Sequence, residues 1–148
     1  MIIRQHGERS RSSETVNGPG WESDRILVRS DGLPYSIHIT TVTAGTSLEL
    51  HYQNHIEAVY CISGHGQVEE ADSGVHHDIT AGTLYVLNDH DRHTLRAHTD
   101  IQGVCIFTPP TTGDEVHDEH GAYPFSALEV PVAAAGAYSV AWSANRAR

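Results

Sequence analysis

The chain has 148 residues, 39% of them hydrophobic, and nine Lys/Arg against nineteen Asp/Glu give a net charge of −10. That length suits a single domain whose core needs no disulfide or metal staple. The acidic balance argues against nucleic acid, whose binding depends on basic side chains that displace counterions, and no run approaches the roughly 18 apolar residues of a membrane span.

Along the chain the signals are those of many short strands. The expected strands are IIRQ (2–5), RILVRS (25–30), YSIHITTV (35–42), SLELHY (47–52), EAVYCIS (57–63), GQVEEA (66–71), TLYVLN (83–88), HTLRAH (93–98) and IQGVCIFT (101–108). Turns rich in Gly, Asp and Pro separate them, among them SDGLP, TAG, SGHG, DSG and NDHD. No helical period is evident before residue 126, apart from a turn or two expected over 19–24. Short strands at close spacing predict an all-β sandwich or barrel. The opening MIIRQHGERSRSSE lacks the apolar centre of a signal peptide, so a soluble cytoplasmic protein is expected. Cys61 and Cys105 each lie in an apolar strand-like run and are expected to be reduced thiols. The segment EVPVAAAGAYSVAWSANRAR after Leu128 has no period, so a domain over 1–126 and an extension over 127–148 are expected.

Side chains alternate across a strand, which divides each run into two faces. Glu57, Val59, Cys61 and Ser63 share one face; Ser36, His38, Thr40 and Val42 share another; Gly103, Cys105 and Phe107 a third. Each of these faces mixes apolar and reactive groups, as expected when one face lines a cavity and the other packs outward on a second layer.

Twelve histidines are the more informative excess, because His is the commonest metal ligand. The stretch HYQNHIEAVY, residues 51–60, brings His51, His55 and Glu57 within seven positions. It resembles the first motif of the cupins, G-x5-H-x-H-x3-E-x6-G, with Gly45, His51, Glu57 and Gly64 in place and Gln53 replacing the second His. The second motif, G-x5-P-x-G-x2-H-x3-N, is met by Gly82, Asn88, His90, His93 and Ala97, so its His is kept and the ligand set is altered. By residue type alone Tyr85 reads as a core aromatic with a satisfied hydroxyl, and His93 equally as a ligand or a buried hydrogen-bonding ring. Glu57 would be costly to bury without a partner, which favours a nearby cation.

The blocks WESDR (21–25), HYQNHIEAVYCISGHGQVEE (51–70), GTLYVLNDHDRH (82–93) and CIFTPPTTGDEVHDEHGAYP (105–124) together resemble the ectoine synthases, in order and without large insertions from Met1 to about Pro124. The resemblance implies a small cupin barrel, jelly-roll-like and all-β with short helical turns. It also implies a cytoplasmic homodimer and an iron-dependent hydro-lyase that cyclises N-γ-acetyl-L-2,4-diaminobutyrate to ectoine, a compatible solute. It places the ferrous iron on Glu57, Tyr85 and His93, a donor set that would also take zinc. Trp21, Arg25, His38, Thr40, Tyr52, Cys105, Phe107, Glu115 and His117 fall on substrate and pocket positions, of which 38 varies in the family between Asn and His.

The reaction needs a folded substrate, a base, a polarised carbonyl and help for the departing oxygen. Arg25 is the expected carboxylate anchor, against the alternative of a surface Arg. Glu115 and His117, two apart, are the expected acid/base pair, against the alternative of a solvated acidic loop. Tyr52 and Thr40 would position the amide or its leaving oxygen, and Cys105 and Phe107 would shape the apolar wall; each has ordinary packing as its alternative. His55, close to Glu57, is a further substrate contact, while His51 is expected behind the ligands. Two rival readings are a non-catalytic cupin that binds a small polar solute and an iron-dependent cupin dioxygenase.

Overall fold

Short blocks of alternating apolar and polar residues become ten antiparallel strands in the computed structural model, which describes residues 1–7 and 15–123. The strands are β1 (Thr15–Gly18), β2 (Trp21–Leu27), β3 (Ser36–Val42), β4 (Ser47–Leu50), β5 (Ile56–Ser63), β6 (His65–Glu70), β7 (His76–Thr80), β8 (Leu84–Leu87), β9 (His93–Ala97) and β10 (Ile101–Thr108). One sheet has the order β1-β2-β3-β10-β5-β8 and the other β4-β9-β6-β7. Trp21, Val42 and Cys61 from the first meet Val68, Ile79, Leu95 and Ala97 from the second in one buried cluster. The expected all-β, jelly-roll-like barrel is therefore present. Its only helical feature among the described residues is a 3-10 turn at Arg29–Asp31.

Four expectations are corrected. Residues 2–5 form no strand; Arg4 instead pairs with the Asp31 carboxylate and donates to the Ile26 carbonyl, so the segment is held by one side chain rather than a ladder. Residues 19–24 form no helical turn, because Gly20 at φ 77° closes a hairpin that pairs Gly18 with Trp21. The strand expected over 25–30 starts earlier, at Trp21, and ends at Leu27, where Asp31 accepts the Val28 N–H and bends the chain. β1 and β7 are additional: in β7, HHDIT, only Ile79 is buried, too little apolar signal to mark an edge strand. The extension expected over 127–148 lies outside the described residues.

The predicted face assignments hold where they matter. Glu57, Val59 and Cys61 point inward from β5, as do Ser36, His38 and Val42 from β3 and Gly103, Cys105 and Phe107 from β10. The outward faces of β5, β8 and β10 do not meet the expected second layer among the described residues. They leave Tyr60, Ile62, Leu84, Val86 and Ile106 between 40% and 62% exposed.

Gly64, at φ 95° between β5 and β6, lies so close to the next hairpin that a Cβ there would stand 2.1 Å from the Asp100 carbonyl oxygen. Backbone cannot yield as a flexible side chain does, and a left-handed φ adds strain for any other residue. Gly64→Ala is expected to lower unfolding free energy by about 2 kcal/mol or more, measured by urea denaturation; an unchanged midpoint would refute this account of the turn.

Candidate active site

Strand register brings the reactive residues side by side. Phe107 pairs with Glu57 and Cys105 with Val59 across β10 and β5; Val59 in turn pairs with Tyr85 on β8, and Cys105 with His38 on β3. On the far side of β3, His38 pairs with Arg25 and Thr40 with Ser23. The inward faces enclose a mostly apolar hollow of about 620 Å³, mouth included, lined among others by Trp21, Thr40, Tyr52, Glu57, Tyr85, Cys105, Phe107 and His117.

Glu57 is 4% exposed and has no ion-pair partner among the described residues. Burial pushes its carboxyl up to about 8, although a hydrogen bond from Cys105 and the charge of Arg25 pull the other way. Burial, reinforced by Glu57, likewise raises the Tyr85 phenol well above its ordinary range. His93, at the start of β9, donates through Nδ1 to the Asp91 carbonyl at 3.1 Å and leaves a buried Nε2 without a partner. A ring held from behind by a carbonyl, with the other nitrogen bare, is how a neutral histidine presents itself to a metal. The His93 ring does not itself line the hollow but stands 6.5 Å from that of Tyr52. An orphaned imidazole nitrogen, a carboxyl without a cationic partner and a buried phenol are each, by type, donors that a divalent cation takes.

The mouth side of the hollow is aromatic. The Tyr52 hydroxyl lies 2.7 Å from His117 Nε2, and the His117 ring stacks on Tyr123 at 4.7 Å and meets the edge of Trp21 at 4.9 Å. Burial lowers His117 to about 4, with the charge of Arg25 adding to it, so the ring is neutral at pH 7. Burial raises Tyr52 well above the ordinary range, which keeps its hydroxyl protonated. Two uncharged partners thus share a hydrogen bond in a site where charge would be costly.

Other predicted residues stand behind this wall. Arg25 is fully buried; the two hydrogens of Nη1 are shared among Ser23 Oγ (3.1 Å), His38 Nδ1 (2.5 Å) and Tyr123 Oη (3.2 Å), and Nη2 donates to the Glu115 carbonyl (2.8 Å). A guanidinium only donates, so His38 Nδ1 must accept and its Nε2–H must donate to Thr111 Oγ1 at 2.9 Å. Burial, then Arg25, holds His38 well below its ordinary value. His55 donates from Nδ1 to the Pro109 carbonyl at 2.7 Å and packs edge-on to Phe107. Neither His38 nor His55 lines the hollow. Glu115 also faces away from it: its carboxylate accepts the Thr112 N–H (2.6 Å), the Thr112 hydroxyl (2.8 Å) and the Gly113 N–H (2.9 Å). Burial would raise that carboxyl, but these donors hold it below its ordinary value. His51, kept near Gln53 at 3.3 Å, sits outside the lining as well.

Three residues were not legible as functional in the sequence. Ser23 lies inside the WESDR block and Tyr123 inside HGAYP, but a lone Ser and a lone Tyr signal only packing; Thr111 carries no signal at all until the fold sets it against His38.

Comparison with known proteins agrees with this fold. The family profile described as Ectoine synthase matches residues 1–127. The L-ectoine synthase of Sphingopyxis alaskensis is 48% identical over 124 residues, covering 84% of this chain and 90% of the relative. The crystal structure of ectoine synthase from P. lautus superposes with a TM-score of 0.75 at 39% identity, over 86% of this chain and 94% of that one. An RmlC-like cupin from Shewanella frigidimarina, 18% identical, superposes with a TM-score of 0.55 over 72% of this chain and 92% of its own; at that identity it speaks for the fold alone.

The Glu57 shift has a sign that can be checked. With its pKa raised from 4.5 to about 8, the folded state keeps a proton that the unfolded state releases, so the metal-free protein loses stability as pH rises from 4.5 towards 8. Glu57→Gln removes that linkage. The metal-stripped variant is expected to be more stable than the parent at pH 8 by on the order of 2 kcal/mol, and its urea midpoint to vary less with pH; a variant equally or less stable at pH 8 would contradict the assignment.

Proposed function

The chain belongs to the ectoine synthase family, and from that premise we propose how its hollow closes N-γ-acetyl-L-2,4-diaminobutyrate into ectoine. The enzyme is a hydro-lyase: the α-amine forms a new C–N bond to the acetamide carbon, and the carbonyl oxygen leaves as water with the two amine protons. The observation that carries the proposal is Glu57, a buried carboxyl without a cationic partner among the described residues, which lines the same hollow as the Tyr85 phenol; the buried, unpaired Nε2 of His93 supports adding that ring as a third donor.

Those three residues would hold a divalent cation, ferrous iron in this reading, with zinc as a substitute. A cation held there supplies Lewis acidity towards a carbonyl oxygen. The rest falls to side chains. The apolar walls of the hollow, Phe107 and Val59 among them, exclude water and force the flexible substrate to fold on itself. Such intramolecular alignment can contribute roughly 7–11 kcal/mol. Arg25 is the buried positive pole towards which the substrate carboxylate is drawn; its Nε is the donor left without a partner. His117, uncharged at pH 7, accepts a proton from the attacking amine, and Tyr52, hydrogen-bonded to it and protonated, gives one to the departing oxygen. Glu115 acts through its carbonyl on Arg25 and through its carboxylate on the 112–115 turn that carries His117 into place. Cys105 and Thr40 line the wall beside Glu57, and Trp21 closes the aromatic side. His38 and His55 support Arg25 and Phe107 from behind.

Residues 1–126 are the catalytic unit in this reading, with 127–148 an extension. The protein works in the cytoplasm as a homodimer, making a compatible solute against osmotic stress. The exposed apolar side chains Tyr60, Ile62, Leu84, Val86 and Ile106 support the dimer, since a monomer has no use for so contiguous a patch.

Anaerobic incubation of the iron-loaded protein with N-γ-acetyl-L-2,4-diaminobutyrate is expected to yield ectoine, with no oxygen consumed when air is admitted. Binding without product would point to a solute-binding cupin, and oxygen uptake to a dioxygenase. Tyr52→Phe, which keeps the ring and removes the proton, is expected to lower kcat about 100-fold; wild-type kcat would remove Tyr52 from the proton path.

A further inference from the structure

Ser23 is wholly buried on β2, directly across from Thr40 on β3. Its Oγ lies 3.1 Å from Arg25 Nη1 and 2.8 Å from Thr40 Oγ1, and these are its only hydrogen-bond partners among the described residues. A guanidinium has donors and no acceptor, so the Arg25–Ser23 bond runs in one direction: Ser23 accepts. Arg25 cannot turn away to relieve this, because His38 and Tyr123 share the two hydrogens of the same Nη1 and the Glu115 carbonyl holds Nη2.

Ser23 is then left with one proton and one neighbour to receive it. If it donates to Thr40, its hydroxyl both accepts and donates, and its proton is satisfied. If Thr40 donates to Ser23 instead, the serine proton is buried with no acceptor, an arrangement that costs most of the desolvation of that group. The satisfied arrangement has a consequence at the cavity wall. Thr40 Oγ1 accepts from Ser23, so its own proton turns to the hollow side, where it is hydrogen-bonded to the Cys105 sulfur, an acceptor that a substrate oxygen would replace. The wall therefore offers a donor there, which suits a carbonyl oxygen or departing water and repels the N–H protons of an ammonium.

We infer that Ser23 is a positioning residue: it passes the fixed direction of the Arg25 guanidinium to the Thr40 hydroxyl, so that Thr40 donates to the substrate's acetamide oxygen. This rests on the cyclisation reading above.

A double-mutant cycle on the iron-loaded full chain tests it, with Ser23→Ala, Thr40→Val and the pair. Ser23→Ala is expected to lower kcat about tenfold, as loss of a supporting hydrogen bond does, while KM changes less than about twofold. In the Thr40→Val background the same change is expected to have no further effect on kcat, since the hydroxyl it orients is gone. Wild-type kcat for Ser23→Ala, or equal fold losses in the two backgrounds, would overturn the inference. Should Ser23→Ala prove insoluble, Ser23→Cys takes its place with the same expected non-additivity, because a thiol of similar size is a weak donor. The cycle is also read in urea midpoints. A wild-type chain that makes no ectoine would sink the cyclisation reading, and additive midpoints would then separately refute the Ser23–Thr40 link.

Discussion

A carboxyl group taken out of water without a positive partner is unstable as an anion, and Glu57 is held in that condition by the fold itself. β5 turns it inward, Phe107 and Tyr52 cover it, and the nearest guanidinium, that of Arg25, acts on it only through space. Burial answers in the apo protein by keeping the proton on. A cation answers differently: it lets the carboxyl, and the phenol beside it, give their protons up. The buried Nε2 of His93 is likewise left unpaired among the described residues, as are Arg25 Nε and His55 Nε2. Stability is thus lower than an apolar core of the same size would give.

Arg25 is the second organising charge. A buried guanidinium must spend its donors, and it spends them on Ser23, His38, Tyr123 and the Glu115 carbonyl, four groups drawn from both ends of the sequence. That ties the 112–123 segment to β2 and β3 and sets His117 against Tyr52. The same charge helps to keep His117 neutral. In the proposed reading Glu57 and Arg25 divide the work, one shaping the cation side of the hollow and the other the proton-carrying side.

The inward faces of β3, β5 and β10 were legible in the sequence because successive side chains alternate across a strand, and the spacing of Gly45, His51, Glu57 and Gly64 resembles that of a cupin motif. Two of the four edge strands were not: β7 buries only Ile79, and β1 buries nothing fully, so neither leaves a pattern to read. Candidate site residues were legible by type and spacing, but their geometry was not. Glu115 and His117 sit two apart, which suggests a pair, yet the Glu115 carboxylate closes its own turn while His117 turns to Tyr52. His38 and His55 have the right chemistry and lie one layer behind the wall. No sequence pattern records that Arg25 will be buried, and the roles of Ser23, Thr111 and Tyr123 follow from that burial.

The most direct measurement is a calorimetric titration of metal-stripped protein with Zn²⁺ or Fe²⁺ at pH 7, in two buffers of different ionisation heat. If Glu57 and Tyr85 enter the site protonated and leave as carboxylate and phenolate, while His93 binds neutral, about two protons are released per ion. Tight binding with no proton release would contradict the account, because it would mean that the ion sits elsewhere.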